Sequence, residues 1–91
     1  MKDVDKIKMI DNIDSKLNIL YKNMSKEDYY EFIDSNKEIK AYNDLLNNIS
    51  LNILPRSCLM VLPTTILVEI NAKVFNEFSL FLSNQNELVL V

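Results

Sequence analysis

The chain has 91 residues, of which 48% are hydrophobic and 25% are charged, and its formal net charge is −3. This length and composition predict a single folded domain over residues 1–91 and exclude a disordered tail. The acidic balance leaves no basic surface for non-specific binding to nucleic acid or to an anionic membrane.

Glycine and histidine are both missing from the chain, and their absence excludes several kinds of site. Without glycine, the chain cannot build a glycine-rich phosphate loop, a dinucleotide fingerprint, a nucleophile elbow or an EF-hand loop. Without histidine, it lacks the commonest general base and metal ligand. The single cysteine, Cys58, lies beside Leu59 and Met60 and is predicted to be a small buried hydrophobic residue. We therefore expect no enzyme activity, no cofactor and no metal.

Three features indicate the compartment. One cysteine cannot form an internal disulfide, and the first residues alternate in charge without the apolar segment of a signal peptide. The longest uncharged run, residues 57–68, is too short to span a bilayer as a helix. We expect a cytoplasmic protein of a bacterial or infected host cell, because abundant Asn, Ile and Lys are typical of AT-rich bacterial, phage and viral genomes.

Residues 1–50 carry most of the charges and predict a helical layer, whereas residues 51–91 predict a mainly β layer on the same core. The first helix is expected over roughly Asp3 to Asn23, where apolar residues recur at three- and four-residue steps. These residues are Ile7, Ile10, Ile13, Leu17, Leu20 and Met24. Asp11 and Asp14 lie three residues apart and fit either a metal ion or, more commonly, two solvated carboxylates.

The stretch "MSKEDYYEF" predicts the start of a second helix. Ser25 and Asp28 have the spacing of a capping box, and Met24 and Tyr29 lie where a hydrophobic staple would form. Acidic residues in the first turn complement the positive end of the helix dipole. Most of this stretch is therefore explained by local structure alone.

Tyr30 lies off the apolar stripe of the second helix. It stands beside Glu27, Glu31 and Asp34, and we interpret these four residues as a candidate surface for binding a protein. The alternative is a tyrosine whose ring packs on the protein and whose hydroxyl lies in water.

A third helix is predicted to follow, with Ser35 and Glu38 at the capping-box spacing. Its apolar stripe is Ile39, Tyr42, Leu45, Leu46 and Ile49. A short helix, a tight turn and a longer helix are the order of a helix-turn-helix, whose outer face would offer Lys37, Lys40, Asn43 and Asn47. The acids of the second helix would repel phosphates, so a DNA-binding regulator is the second alternative function.

Beyond Pro55 and Pro63 the pattern changes to one typical of strands. Ile66, Val68, Ile70, Ala72 and Val74 alternate with polar residues, and Leu67 is the exception. A hairpin is expected next, with Phe78, Leu80 and Leu82 on one strand, a turn over residues 83–86, and Leu88 and Leu90 on the other. The fold class predicted is α+β, with three N-terminal helices packed on a small, mainly antiparallel C-terminal sheet. The alternative is a strand-helix-strand unit with a helix from about Ala72 to Ser83.

The C-terminal residues Leu88, Val89, Leu90 and Val91 are apolar on both faces of the predicted strand. Such a strand lies inside the sheet or forms an open edge that pairs with a second copy or with a partner. The function predicted is a small non-catalytic adaptor or inhibitor of a larger protein, encoded by a phage or mobile element. The first alternative is a self-associating structural subunit.

Overall fold

The computed structural model describes the backbone of residues 3–90 and the side chains of residues 4–85. Within this part the chain forms four α-helices and one 3₁₀ helix, and it contains no strand. The elements in chain order are α1 (Asp3–Asn23), α2 (Lys26–Asp34), α3 (Lys37–Ser50), the 3₁₀ helix (Arg56–Val61) and α4 (Thr64–Leu90). The predicted α+β fold is therefore wrong. Its strand-helix-strand alternative is wrong about the two strands, whereas its helix from about Ala72 to Ser83 lies within α4.

The first helix has the predicted bounds and buries most of the predicted stripe. Ile10, Ile13, Leu17 and Leu20 are buried in the core. Ile7 instead remains 48% exposed at the N-terminal end of the helix. The three- and four-residue spacing was sufficient here because no proline or glycine interrupts the stripe.

The cap of α2 is confirmed, and that of α3 is shifted by one residue. The Ser25 hydroxyl accepts a hydrogen bond from the Asp28 amide at 3.1 Å, as the capping box predicts. At α3 the cap is Asn36, whose Oδ1 accepts from the amides of Glu38 and Ile39 at 2.9 and 3.2 Å. Ser35 ends α2 and is not the cap of α3. Asparagine caps a helix as well as serine does, so spacing alone could not choose between neighbours.

Residues 64–74, predicted as a strand, form the first half of α4. Leu67, Ile70 and Val74 are 0%, 1% and 0% exposed, so their three- and four-residue steps face the core. The same segment also fits an alternating pattern of β-branched residues, which gave the wrong prediction. Tertiary burial of the helical stripe outweighs the weak preference of isolated residues for strands.

The start and length of α4 follow from where prolines occur. The Pro63 carbonyl accepts hydrogen bonds from the amides of Ile66 and Leu67, each at 3.1 Å. A proline is tolerated there because the first amides of a helix have no partner within the helix. The sequence after Pro63 contains no proline or glycine, so nothing interrupts the helix at the predicted turn over residues 83–86.

A left-handed backbone conformation occurs at the end of α3. Asn52 has φ 61°, and its amide donates to the Ile49 carbonyl at 3.0 Å. Glycine usually takes this position after a helix, and asparagine is the best substitute in a chain that has none.

Helices α1 and α4 pack side by side and run in the same direction. Lys6 Nζ donates to the carbonyls of Met60 and Leu62 at 2.9 and 3.0 Å, just before α4 begins. Further along, Lys16 Nζ lies 5.9 and 5.8 Å from the ring centroids of Phe75 and Phe78. All five helices contribute to the core, which contains Ile10, Ile13, Leu17, Leu20, Tyr29, Ile33, Ile39, Tyr42, Leu59, Leu67, Ile70 and Val74.

Candidate functional site

A groove with a volume of about 390 Å³ lies on the surface between α1, α2 and α3. Its lining is mostly aromatic and polar, and includes three of the four tyrosines of the chain. The lining residues are Asp14, Leu17, Asn18, Tyr21, Tyr29, Tyr30, Asn43, Leu46, Asn47 and Ser50. We refer to it as the tyrosine groove.

Two tyrosines of the groove, Tyr21 and Tyr30, pack edge to face against the third, Tyr29. Its ring centroid lies 5.2 Å from that of Tyr21 and 5.4 Å from that of Tyr30, with interplanar angles of 79° and 82°. Tyr29 is only 5% exposed, whereas Tyr21 and Tyr30 are 51% and 47% exposed. The buried ring of Tyr29 therefore positions two other rings, each of which exposes about half of its surface to solvent.

Tyr29 is held as a neutral phenol. Burial is the main reason that its pKa is raised above the usual value, and the nearby hydroxyls of Tyr30 and Tyr21 raise it further. The raised pKa keeps the buried ring of Tyr29 uncharged at neutral and mildly alkaline pH.

Amide side chains supply the polar part of the groove. Asn18 comes from α1, and Asn43 and Asn47 come from one face of α3, with Ser50 at the end of that helix. Each amide carries both donors and an acceptor, so it can bind backbone or side-chain groups of a peptide.

Asp14 connects the groove to a polar network between α1, α3 and the 3₁₀ helix. The hydroxyl of the buried Tyr42 donates to Asp14 Oδ1 at 2.7 Å, and Arg56 donates to Asp14 Oδ2 at 2.7 Å. Arg56 also lies 3.8 Å from Asp11. Burial, followed by the hydrogen bond to Asp14, raises the pKa of Tyr42 far above its usual value. This network fixes the position of α3 relative to α1.

Asp11 and Asp14, considered above as a metal-binding pair, share the guanidinium of Arg56 instead. Within residues 4–85, no three acidic, cysteine or histidine side chains are arranged to hold a metal ion. Cys58 is half-buried, and its neighbour Arg56 is engaged with the carboxylates.

The predicted surface of Tyr30, Glu27, Glu31 and Asp34 lies on the exposed side of α2. Tyr30 lines the tyrosine groove, and the three acids are solvent-exposed on the same helix. Asp34 lies 3.9 Å from Lys40, with both side chains largely in water. All four residues are exposed on α2, and their role in binding stays a prediction.

Tyr21 was missed by the sequence analysis. It lies off the buried stripe of α1, three residues after Asn18, and both side chains face α2 and α3 across the groove. An aromatic and an amide at that spacing on the outer side of a helix is a signal that could have identified it.

Three of the polar residues assigned to a DNA-binding face have contacts in the structure that involve other elements. Asn43 and Asn47 line the tyrosine groove, and Lys40 is close to an acid of α2.

The predicted edge strand at the C-terminus is wrong, because Leu88, Val89 and Leu90 belong to α4. Their side chains and all of Val91 lie outside the described residues.

No helix in the described part of the chain is both long and apolar enough to cross a membrane. No protein-family model, curated protein or solved structure matches this chain.

Proposed function

We propose that the protein is a non-catalytic binding module, an adaptor or an inhibitor, that holds a basic segment of a partner protein in the tyrosine groove. The observation that carries this proposal is the pair Tyr21 and Tyr30, each about half exposed and each packed against the buried Tyr29. Tyrosine is over-represented among residues that dominate binding energy, and a ring already held in place loses little entropy on binding.

Charge favours a partner that carries lysine or arginine. Glu27, Glu31 and Asp34 are exposed on α2, the helix that contributes Tyr29 and Tyr30 to the tyrosine groove, and the whole chain has a formal net charge of −3. Complementary charge accelerates association and selects among partners. The exposed faces of Tyr21 and Tyr30 also attract cations. The same acids disfavour a DNA-binding regulator, since they would repel phosphate groups.

Affinity capture with tagged variants tests the proposal. The tagged chain, Tyr21→Ala and Tyr30→Ala are incubated with extract of the source cell or of its host, and bound proteins are identified by mass spectrometry. Leu80→Ala is the matched control, because Leu80 is 53% exposed and lies on α4, outside the groove. Thermal unfolding of each variant verifies that it is folded.

We expect one foreign protein bound in stoichiometric amount by the parent and by Leu80→Ala. With that partner purified, each tyrosine variant should bind at least about tenfold more weakly, the effect of removing an interface residue worth more than about 1.4 kcal/mol. Glu31→Lys and added salt should each weaken binding a few-fold, as expected for exposed charge pairs. Full affinity of both tyrosine variants would contradict the proposed site, and an affinity indifferent to salt would contradict the basic partner.

A further inference from the structure

The outer side of α4 carries an uncharged stripe with a seven-residue repeat. Its large residues are Val68, Phe75 and Leu82, which are 48%, 58% and 42% exposed. Its small residues recur at the same interval and are Thr65, Ala72 and Ser79. The steps between successive members alternate between three and four, which is the spacing of a seam between two helices. We call these six residues the α4 stripe.

The α4 stripe is distinct from the side of α4 that packs in the core. Leu67, Ile70 and Val74 belong to the core stripe and are fully buried. From Thr64 to Gln85 the charged residues of α4 are Glu69, Lys73 and Glu77, and none belongs to the α4 stripe. Three large apolar side chains aligned on an exposed, uncharged helix face form the kind of patch that marks an interaction surface.

We propose that a second copy of this chain covers the α4 stripe, with the two α4 helices antiparallel about a two-fold axis. In an antiparallel seam, each large residue of one copy lies opposite a small residue of the other. Phe75 would face Ala72 of the second copy, Val68 would face Ser79, and Leu82 would face Thr65. A single register therefore pairs a large residue with a small one at all six positions of the α4 stripe.

Parallel pairing would match the stripe badly. It would place Phe75 against Phe75 and Ala72 against Ala72, so that one layer is crowded and the next has a gap. The alternation of large and small side chains therefore selects the antiparallel arrangement. The flanking charges include Lys16 of α1, whose Nζ lies 5.9 Å from the Phe75 ring centroid, and Glu69, which would lie beside the neutral Asn76 and Ser83 of the second copy.

The size of the seam indicates a reversible dimer. From Thr65 to Leu82 the stripe extends about 26 Å at 1.5 Å per residue. Two helices in contact over this length bury less than the area of about 1,200 Å² that is the lower end of standard interfaces. We expect monomer and dimer to exchange at micromolar protein concentrations.

Sedimentation of the whole protein over a range of concentrations tests this inference. Phe75→Glu places a charge in the centre of the α4 stripe and should raise the dissociation constant at least about tenfold. Leu80→Glu is the matched control, since Leu80 is similarly exposed on the same helix but outside the stripe. Leu80→Glu and Tyr30→Ala should dimerise like the parent, which separates this surface from the tyrosine groove.

A third variant tests the direction of the helices. Ala72→Leu fills the space opposite Phe75 in the antiparallel seam and should weaken the dimer, whereas in parallel pairing it would fill a gap and strengthen it. A parent that is monomeric at all concentrations, or a Phe75→Glu variant that dimerises normally, would overturn the proposal. A stronger dimer with Ala72→Leu would overturn the antiparallel arrangement.

Discussion

Replacing the neighbours Leu67 and Val68 by alanine, one at a time, distinguishes the helix α4 from the strand that the sequence pattern predicted. Leu67 is 0% exposed and packs in the core, while Val68 is 48% exposed on the opposite side of the helix from Ile70. Leu67→Ala removes three buried carbons, worth about 2.4 kcal/mol at about 0.8 kcal/mol each. The cavity left behind raises the expected loss in the free energy of unfolding to about 3–5 kcal/mol.

Val68→Ala should lower the free energy of unfolding by less than about 1 kcal/mol. Its side chain is half in water, and alanine has the higher helix propensity. Urea unfolding followed by far-ultraviolet circular dichroism measures both variants, at a concentration low enough that dimerisation through the α4 stripe does not contribute. A larger loss for Val68→Ala than for Leu67→Ala is the order that an alternating strand requires, and it would refute the assignment of α4.

Further predictions concern titration, capping and the polar network. Above pH 10 the free energy of unfolding should fall, because the raised pKa values of Tyr29 and Tyr42 keep both phenols protonated in the folded state while the unfolded chain ionises near 10.0. The stabilisation from the two buried phenols is complete below pH 10. Above pH 10 each tyrosine lowers the free energy of unfolding by up to about 1.4 kcal/mol per pH unit. A free energy of unfolding from urea titrations that does not change above pH 10 would be inconsistent with the burial of these tyrosines. Asn36→Ala should lower the free energy of unfolding by about 1 kcal/mol, and Ser35→Ala should lower it clearly less. The reverse order in thermal unfolding would show that Ser35 is the cap of α3. Tyr42→Phe should lower the free energy of unfolding by about 1–2 kcal/mol, because Asp14 loses a hydrogen bond from a buried donor. An unchanged free energy in chemical unfolding would show that this hydrogen bond does not stabilise the fold.

The N-terminal half of the fold could be predicted because several local signals agreed there. The bounds of α1 follow from its apolar spacing, and the start of α2 follows from Ser25 and Asp28. In the C-terminal half the local signals were ambiguous. Ile66, Val68 and Ile70 fit a strand, while Leu67, Ile70 and Val74 fit a helix, and contact with α1 decides between them.

The candidate site was predicted in part for a similar reason. The exposure of Tyr30 follows from its position off the stripe of a short helix, which is a local property. The role of Tyr21 depends on contact with Tyr29 across two helices, and that of Asn47 depends on how α3 crosses them. Such contacts join residues distant in the sequence, so spacing within one helix does not reveal them.

Nuclear magnetic resonance of the labelled chain, titrated with the captured partner, tests the central claim most directly. The proposal predicts that the ring signals of Tyr21 and Tyr30 and the side-chain amide signal of Asn47 shift as the partner is added. Signals of Leu80, which is exposed outside the tyrosine groove, should stay in place. Shifts concentrated on α4, with the signals of Tyr21, Tyr30 and Asn47 unchanged, would contradict the tyrosine groove as the binding site.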